Sequence, residues 1–213
     1  MEEKIYFDNG STSWPKAPGV QEAVSELLKN GAFNINRGNY AGAYEVESVV
    51  LETRDQLVQL FHGTDSRNVI FTPGITYSLN YFIKGFLKNG DHVLVSGLEH
   101  NAVMRPLEQM KLAGVDYDIV PVDEEGNLDP EDLRERIRIN TKAVIMTHAS
   151  NVCGTVVPIR EIGSICKEYG LFFAVDTAQS AGTLPVDMQE CQIDFIAFTA
   201  LKGLLGPQGI GGF

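Results

Sequence analysis

The sequence predicts an α/β protein, a three-layer αβα sandwich around a mainly parallel sheet. Two observations carry this. From residue 68 onward, short apolar runs alternate with amphipathic stretches, and strands alternating with helices imply βαβ units. The runs at 171–175 and 193–198 are also almost continuously apolar, as expected of strands covered on both faces.

The chain starts with a short extended stretch at 5–7, in an N-terminal arm taken as residues 1–15 ahead of one large domain over 16–213. A helix is expected over 18–30, with Pro18 in its first turn and Gly31 at its end. A polar, glycine-bearing loop follows at 34–40. The best helical pattern runs over 43–61, where Val46, Val49, Val50, Leu57, Leu60 and Phe61 share one stripe. Strands are then expected at 68–72, 92–96, 116–122, 142–148, 171–175 and 193–199, with helices between them at 75–87, 101–113, 130–139 and 158–169. No internal repeat or linker interrupts the pattern.

Composition excludes several function classes. The 213 residues carry 44% hydrophobic and 21% charged side chains, ordinary for a soluble globular protein, and suffice for a sizeable core. A formal charge of -11 opposes a nucleic-acid or anionic-membrane surface, because neutralising phosphates needs clustered Lys and Arg. No apolar run approaches the roughly 20 residues of a membrane helix. The acidic start lacks a signal-peptide core. Three cysteines, odd in number and without a CxxC, fit reduced thiols in the cytoplasm.

In parallel sheets ligands bind beyond the carboxyl ends of the strands, so those ends hold the candidate residues. Lys202 follows the strand at 193–199 and opens a glycine-rich run, while Asp176 and Gln179 follow the strand at 171–175. A lysine and an acid ending neighbouring strands suit pyridoxal 5′-phosphate (PLP). The amine forms the Schiff base, and the carboxylate keeps the pyridine nitrogen protonated. An unpaired carboxylate at the end of so apolar a strand would be costly, and a pyridinium supplies its partner. The alternatives are that Asp176 caps the next turn and that Lys202 is a solvated loop residue.

The other ends are weaker signals. The segment FTPGIT (71–76) makes a strand, a glycine turn and a helix start. The N–H groups of Gly74, Ile75 and Thr76, with the Thr76 hydroxyl, suit a phosphate at the positive helix end. Taken alone, it favours a plain connecting turn whose threonine caps its own helix. His100 either lies flat over a cofactor ring or sits on the surface before an Asn-capped helix. Asn151 either donates to a phenolate oxygen or closes an Asx turn, and His148 reads as structural. Thr199 adds a hydroxyl near Lys202.

With these residues in place, the sequence resembles the class V aminotransferase group of fold-type I PLP enzymes, specifically cysteine desulfurases and selenocysteine lyases. The similarity extends over essentially the whole chain. It rests on YFDN (6–9), FTPGIT (71–76), LEHNAVMRP (98–106), HASNVCG (148–154), AVDTAQSAG (174–182) and AFTALKGLLGPQG (197–209), the last two highly specific in combination. The resemblance implies a PLP-dependent transferase-like large domain in which Lys202 and His100 are catalytic. Lys202 would carry the cofactor, Asp176 would pair with the pyridine nitrogen, and His100 would stack on the ring. Gln179 and Asn151 would face the ring hydroxyl oxygen, while Thr76 and Thr199 bind phosphate.

The implied activity is conversion of L-cysteine to L-alanine, the sulfur passing to an enzyme thiol and then to an acceptor protein. Class V transamination or selenocysteine cleavage is the alternative, as is a PLP-free relative acting through protein contacts. A homodimer is implied, but no nucleic acid or membrane.

Two departures from the family pattern matter. Gly-His usually precedes the lysine, and the histidine helps bind phosphate. Here Ala200 and Leu201 stand there, and phosphate affinity should fall by roughly 1.5–3 kcal/mol, the worth of a charge-assisted hydrogen bond. The second departure is length. Relatives continue well past Phe213, so the sequence reads as an N-terminal fragment. It would lack the small domain, the carboxylate-binding arginine and the nucleophilic cysteine, and stopping inside a strand would bare an apolar sheet edge. Cys153, Cys166 and Cys191 are all expected to be structural, Cys153 as a small buried residue.

Overall fold

The computed structural model describes residues 5–35 and 38–213; Asn36 and Arg37 of the predicted loop, and residues 1–4, lie outside the described residues. Among the described residues, six α-helices, α1 Val20–Lys29, α2 Ala41–Phe61, α3 Ile75–Phe86, α4 Asn101–Lys111, α5 Pro130–Arg134 and α6 Ile159–Tyr169, accompany one sheet. Its strands are β1 Phe71–Thr72, β2 His92–Ser96, β3 Asp116–Val120, β4 Thr141–Thr147, β5 Phe172–Asp176, β6 Phe195–Thr199 and β7 Gly211–Gly212.

The spatial order is β1-β7-β6-β5-β4-β2-β3. Strands β3, β2, β4, β5 and β6 pair in parallel, and β7 runs antiparallel between β1 and β6. The chain passes from β2 outward to β3 and then returns across β2 to β4. The winding therefore reverses between β2 and β4, and the crevice at such a reversal is where open α/β sheets bind ligands.

Side-chain alternation builds the two faces. Along β4, Ala143 and Ile145 join a core with Leu79, Phe82 and Ile83 of α3 and Val103 and Leu107 of α4. Val144 and Met146 point the other way, into a core with Leu133 of α5, Ile162 and Ile165 of α6, and Phe61 of α2. A period of two along a strand requires this division once both faces are covered. Each fully buried side chain such as Leu79 or Phe173 contributes about 1.5–3 kcal/mol of transfer free energy.

Several boundaries differ from expectation. Residues 5–7 form no strand, and Ile5 and Phe7 are exposed. Asn68 belongs to a 3-10 turn, Ser66–Asn68, whose first turn is capped by the Asp65 carboxylate accepting from Arg67 N–H, so β1 is shorter than predicted. α5 stops at Arg134 because the chain tightens into i→i+3 bonds, Arg136 N–H to Leu133 and Ile137 N–H to Arg134, leaving Ile139 exposed. The final strand is not an edge. β7 is flanked on both sides, and its glycines are required there, since a Cβ on Gly212 would stand 2.6 Å from the Ile70 carbonyl oxygen.

Candidate active site

The carboxyl ends of β1, β2, β4, β5 and β6 lie along one edge of the sheet, and every predicted site residue is attached to that edge. At the end of β5 the Asp176 side chain is almost fully buried, and one carboxylate oxygen accepts from Ala178 N–H at 2.8 Å. Burial pushes its pKa up, opposed by that N–H and by the nearby Lys202 charge. Lys202 is partly exposed. Its own pKa is pushed down by desolvation and supported by Asp176. The acid and the amine thus share one local field, as the strand order requires.

Lys202 is held by its loop and by the N-terminal arm. The Leu201 carbonyl accepts from Ser13 N–H (2.8 Å), Ser13 Oγ (3.1 Å), Thr12 Oγ1 (3.2 Å) and Lys16 Nζ (3.1 Å). Ala17 N–H donates to the Leu205 carbonyl. Across the same loop, a Cβ on Gly203 would lie 2.3 Å from the Ala181 carbonyl oxygen, so glycine is required for this approach. Neither the arm's clamp nor Lys16 is evident from the sequence, because no local pattern announces a contact across so many residues.

Gln179 also meets the arm, its Nε2 donating to the Gly10 carbonyl at 3.1 Å. Thr199, at the end of β6, is buried with its Oγ1 unpartnered. At the end of β1, Gly74 caps α3 with no side-chain hydrogen bond, and Thr76 is exposed. Thr76 therefore does not cap its own helix. The turn is stabilised instead by Thr72, whose hydroxyl bonds the Gly74 carbonyl and Ser78 Oγ, both at 2.9 Å.

Two other readings change. His100, not Asn101, caps α4, its Nδ1 accepting from Ala102 N–H at 3.1 Å. That bond places the ring proton on Nε2. The turn after β4 is organised by Ser150, whose Oγ accepts from Val152 and Cys153 N–H, while Asn151 is exposed. Cys153 is exposed, not buried. Hydrogen bonds from Ser150 and Thr155 draw its thiol down to about 7. Cys166 and Cys191 are buried, and burial raises the Cys166 thiol to about 12. His148 is buried with Nδ1 unpartnered, and desolvation lowers its pKa.

Glu99 is the site residue that the sequence reading passed over. Its Oε1 accepts from Ser96 Oγ (2.6 Å) and from Thr147 N–H (2.7 Å), tying the end of β2 to the end of β4 at the winding reversal. The signal was available: an acid beside an apolar strand end, as at Asp176.

A cavity of about 680 Å³ lies elsewhere. Phe61, Val69, Leu171, Ile193 and Phe213 line it near the opposite ends of β5 and β6, far along the strands from Lys202. Lys167, Asp65 and Asp194 also line it, but none of them stands at the carboxyl end of a strand. On the open edge at the carboxyl ends, His100, Asn151 and Thr76 are exposed.

A lysine and an acid at adjacent strand ends of a reversing parallel sheet define the class, an α/β protein whose candidate residues lie where open α/β sheets bind ligands. Residues 5–212 match the aminotransferase class-V family, and the chain belongs to that family. It is 34% identical to the cysteine desulfurase IscS of Dictyoglomus turgidum (99% of this chain, 54% of the relative) and 36% identical to the IscS of Vibrio campbellii (99% and 53%). The apo structure of a cysteine desulfurase from Thermococcus onnurineus NA1 superposes with a TM-score of 0.90 at 32% identity, over 98% of this chain and 52% of that one. The structure of SspA in complex with cysteine also reaches 0.90, at 26% identity, over 98% and 60%. The chain spans about half the length of the curated relatives it matches.

Proposed function

We propose that residues 16–213 form the PLP-binding domain of a cysteine desulfurase, with residues 1–15 as an arm over the lysine loop. The observation that carries this reading is the Lys202–Asp176 pair at the strand edge, together with polar atoms left unused there. A carboxylate buried beyond β5 with one internal donor fits a pyridinium, and the unpartnered Thr199 Oγ1 fits a phosphate oxygen. The free first-turn N–H groups of α3, at Ile75 and Thr76 after Gly74, add a phosphate cradle at the positive helix end.

PLP, when bound, supplies an electron sink for a substrate carbanion. Asp176 would hold a proton on the pyridine nitrogen. His100, anchored by its Nδ1, would present its ring face over the cofactor, and Gln179 and Asn151 would orient the ring hydroxyl. Lys202, with its proton affinity lowered by desolvation, is suited to attach the cofactor and then remove a proton from the substrate carbon.

The named relatives favour L-cysteine as substrate, with a protein sulfur acceptor, a homodimer and a cytoplasmic location as parts of the same reading. Leu201 weakens phosphate binding relative to the family pattern. No helix among the described residues is long and apolar enough to cross a membrane.

The test is absorption of the purified protein with added PLP, followed by borohydride reduction and peptide mass mapping. A visible band and a label on Lys202, both missing in Lys202→Ala, are expected. A band that survives in Lys202→Ala overturns the assignment. L-alanine production from L-cysteine without keto-acid consumption then separates desulfuration from transamination.

A further inference from the structure

We infer that Glu99 is a positioning residue that remains protonated beside an ionised Asp176 and fixes the loop carrying His100. The inference deepens the PLP reading and rests on it for the roles of Asp176 and His100.

The geometry comes first. Oε1 is saturated by the Ser96 hydroxyl at 2.6 Å and the Thr147 N–H at 2.7 Å, whereas Oε2 is buried and has no partner. An ionised carboxylate spreads charge over both oxygens, so a buried Oε2 with no donor penalises the charged form. A neutral acid lowers this penalty, because an unpartnered O–H on Oε2 costs less than an unpartnered charge. Thr147, which grips Oε1, is also the register partner of Asp176 on β5. Two carboxyl groups thus meet across the end of β4, Glu99 from the loop after β2 on one side and Asp176 from β5 on the other, and two like charges in one buried site disfavour each other.

The groups around the pair decide which member keeps the proton. Burial raises the Asp176 pKa too, but there the Ala178 N–H and the Lys202 charge oppose it and support ionisation. Glu99 faces the Ser96 hydroxyl and the Thr147 N–H, and the charge of Asp176 acts on it to oppose ionisation. Desolvation, the largest cause, raises the Glu99 carboxyl to about 8. The pair therefore shares its proton unequally and leaves Asp176 charged to meet a pyridinium.

The mechanical consequence follows from adjacency. Residues 97–100 carry the chain from β2 to α4, and the Glu99 bond to Thr147 is a side-chain tie from this loop to β4. His100 stands at the next position and caps α4.

The first measurement needs no cofactor. Infrared difference spectra of the purified protein are followed as pH rises, tracking the carbonyl band of a buried, protonated carboxyl. The expected band disappears with a midpoint near 8, is missing in Glu99→Gln and persists in Asp176→Asn. A band that Glu99→Gln leaves intact, or no such band in the wild type at neutral pH, overturns the inference. The second measurement titrates PLP. Glu99→Gln keeps an acceptor for Ser96 and Thr147, so it should bind PLP like the wild type at neutral pH and lose the wild type's weakening above pH 8. Glu99→Ala frees the loop and should weaken binding about tenfold, as expected for losing buried hydrogen bonds. Equal weakening in Gln and Ala variants would contradict the protonated state. If the wild type binds no PLP, the proposed function fails, while the infrared result still decides the state of Glu99.

Discussion

The two ends of the sheet satisfy buried polar groups to different degrees. At the amino ends of β2 and β4, the fully buried His92 pairs its Nδ1 with Thr141 Oγ1 at 2.8 Å, while its Nε2 makes no hydrogen bond and has the Asp118 carboxylate at 3.4 Å. Arg138 closes the group by pairing with both Asp116 and Asp118. At the carboxyl ends, Asp176, Glu99 Oε2, Thr199 Oγ1 and His148 Nδ1 are buried with fewer partners than they can use. The same strands support both arrangements, so secondary structure does not set the difference. Groups matched within the chain stabilise the fold, and groups left unmatched are available to a ligand.

The contrast can be broken most directly at Lys202. Lys202→Ala should abolish covalent PLP attachment while leaving thermal stability equal or slightly higher, because a partly desolvated amine is removed; mass spectrometry after reduction and a melting curve check both. Asp176→Asn should weaken PLP binding by about a hundredfold or more, the cost of breaking a buried charge pair, without the fold loss that a core substitution brings; fluorescence titration measures it. Leu201→His would sharpen the comparison in the other direction. It should tighten PLP binding about tenfold by restoring a charge-assisted donor, and an unchanged dissociation constant would show that this position lies off the phosphate.

The two ends should also differ with pH. Glu99 binds its proton more tightly folded than unfolded, so its contribution to stability is full below about 4.5 and is lost as pH rises toward about 8. Asp116, whose pKa is lowered by Arg138, contributes above 3.8 and loses its effect as pH falls. Melting curves across pH should therefore flatten on the alkaline side in Glu99→Gln and on the acid side in Arg138→Gln. The second effect is the smaller, because exposed ion pairs are worth about 0–1 kcal/mol.

Much of this organisation was legible in the sequence. The strands at 92–96 and 193–199 and the helix at 75–87 follow from apolar runs bounded by polar turns, signals local enough for the chain to display. The strand-end rule brings Asp176 and Lys202 to one edge without any coordinate. What escaped depends on distant partners. His100 took the cap from Asn101 because its Nδ1 reaches Ala102 N–H, a choice between neighbours that propensity cannot make. Cys153 is exposed because Ser150 organises the turn. Glu99 turns inward because Thr147, on another strand, supplies its donor, and the arm over Leu201 joins ends of the chain that no periodicity connects. The brevity of β1 has the same origin, since β7 is its sole ladder partner.

That last pairing has a temporal meaning. During synthesis, Phe71 and Thr72 emerge long before Gly211 and Gly212, the residues that join them to the sheet. Gly211 also abuts the turn at Gly74, where a Cβ would come within 3.0 Å. The proposed phosphate cradle therefore gains its rigid backing only when the glycine ribbon slots home, and a nascent chain halted before that moment would offer a loose grip to an anion.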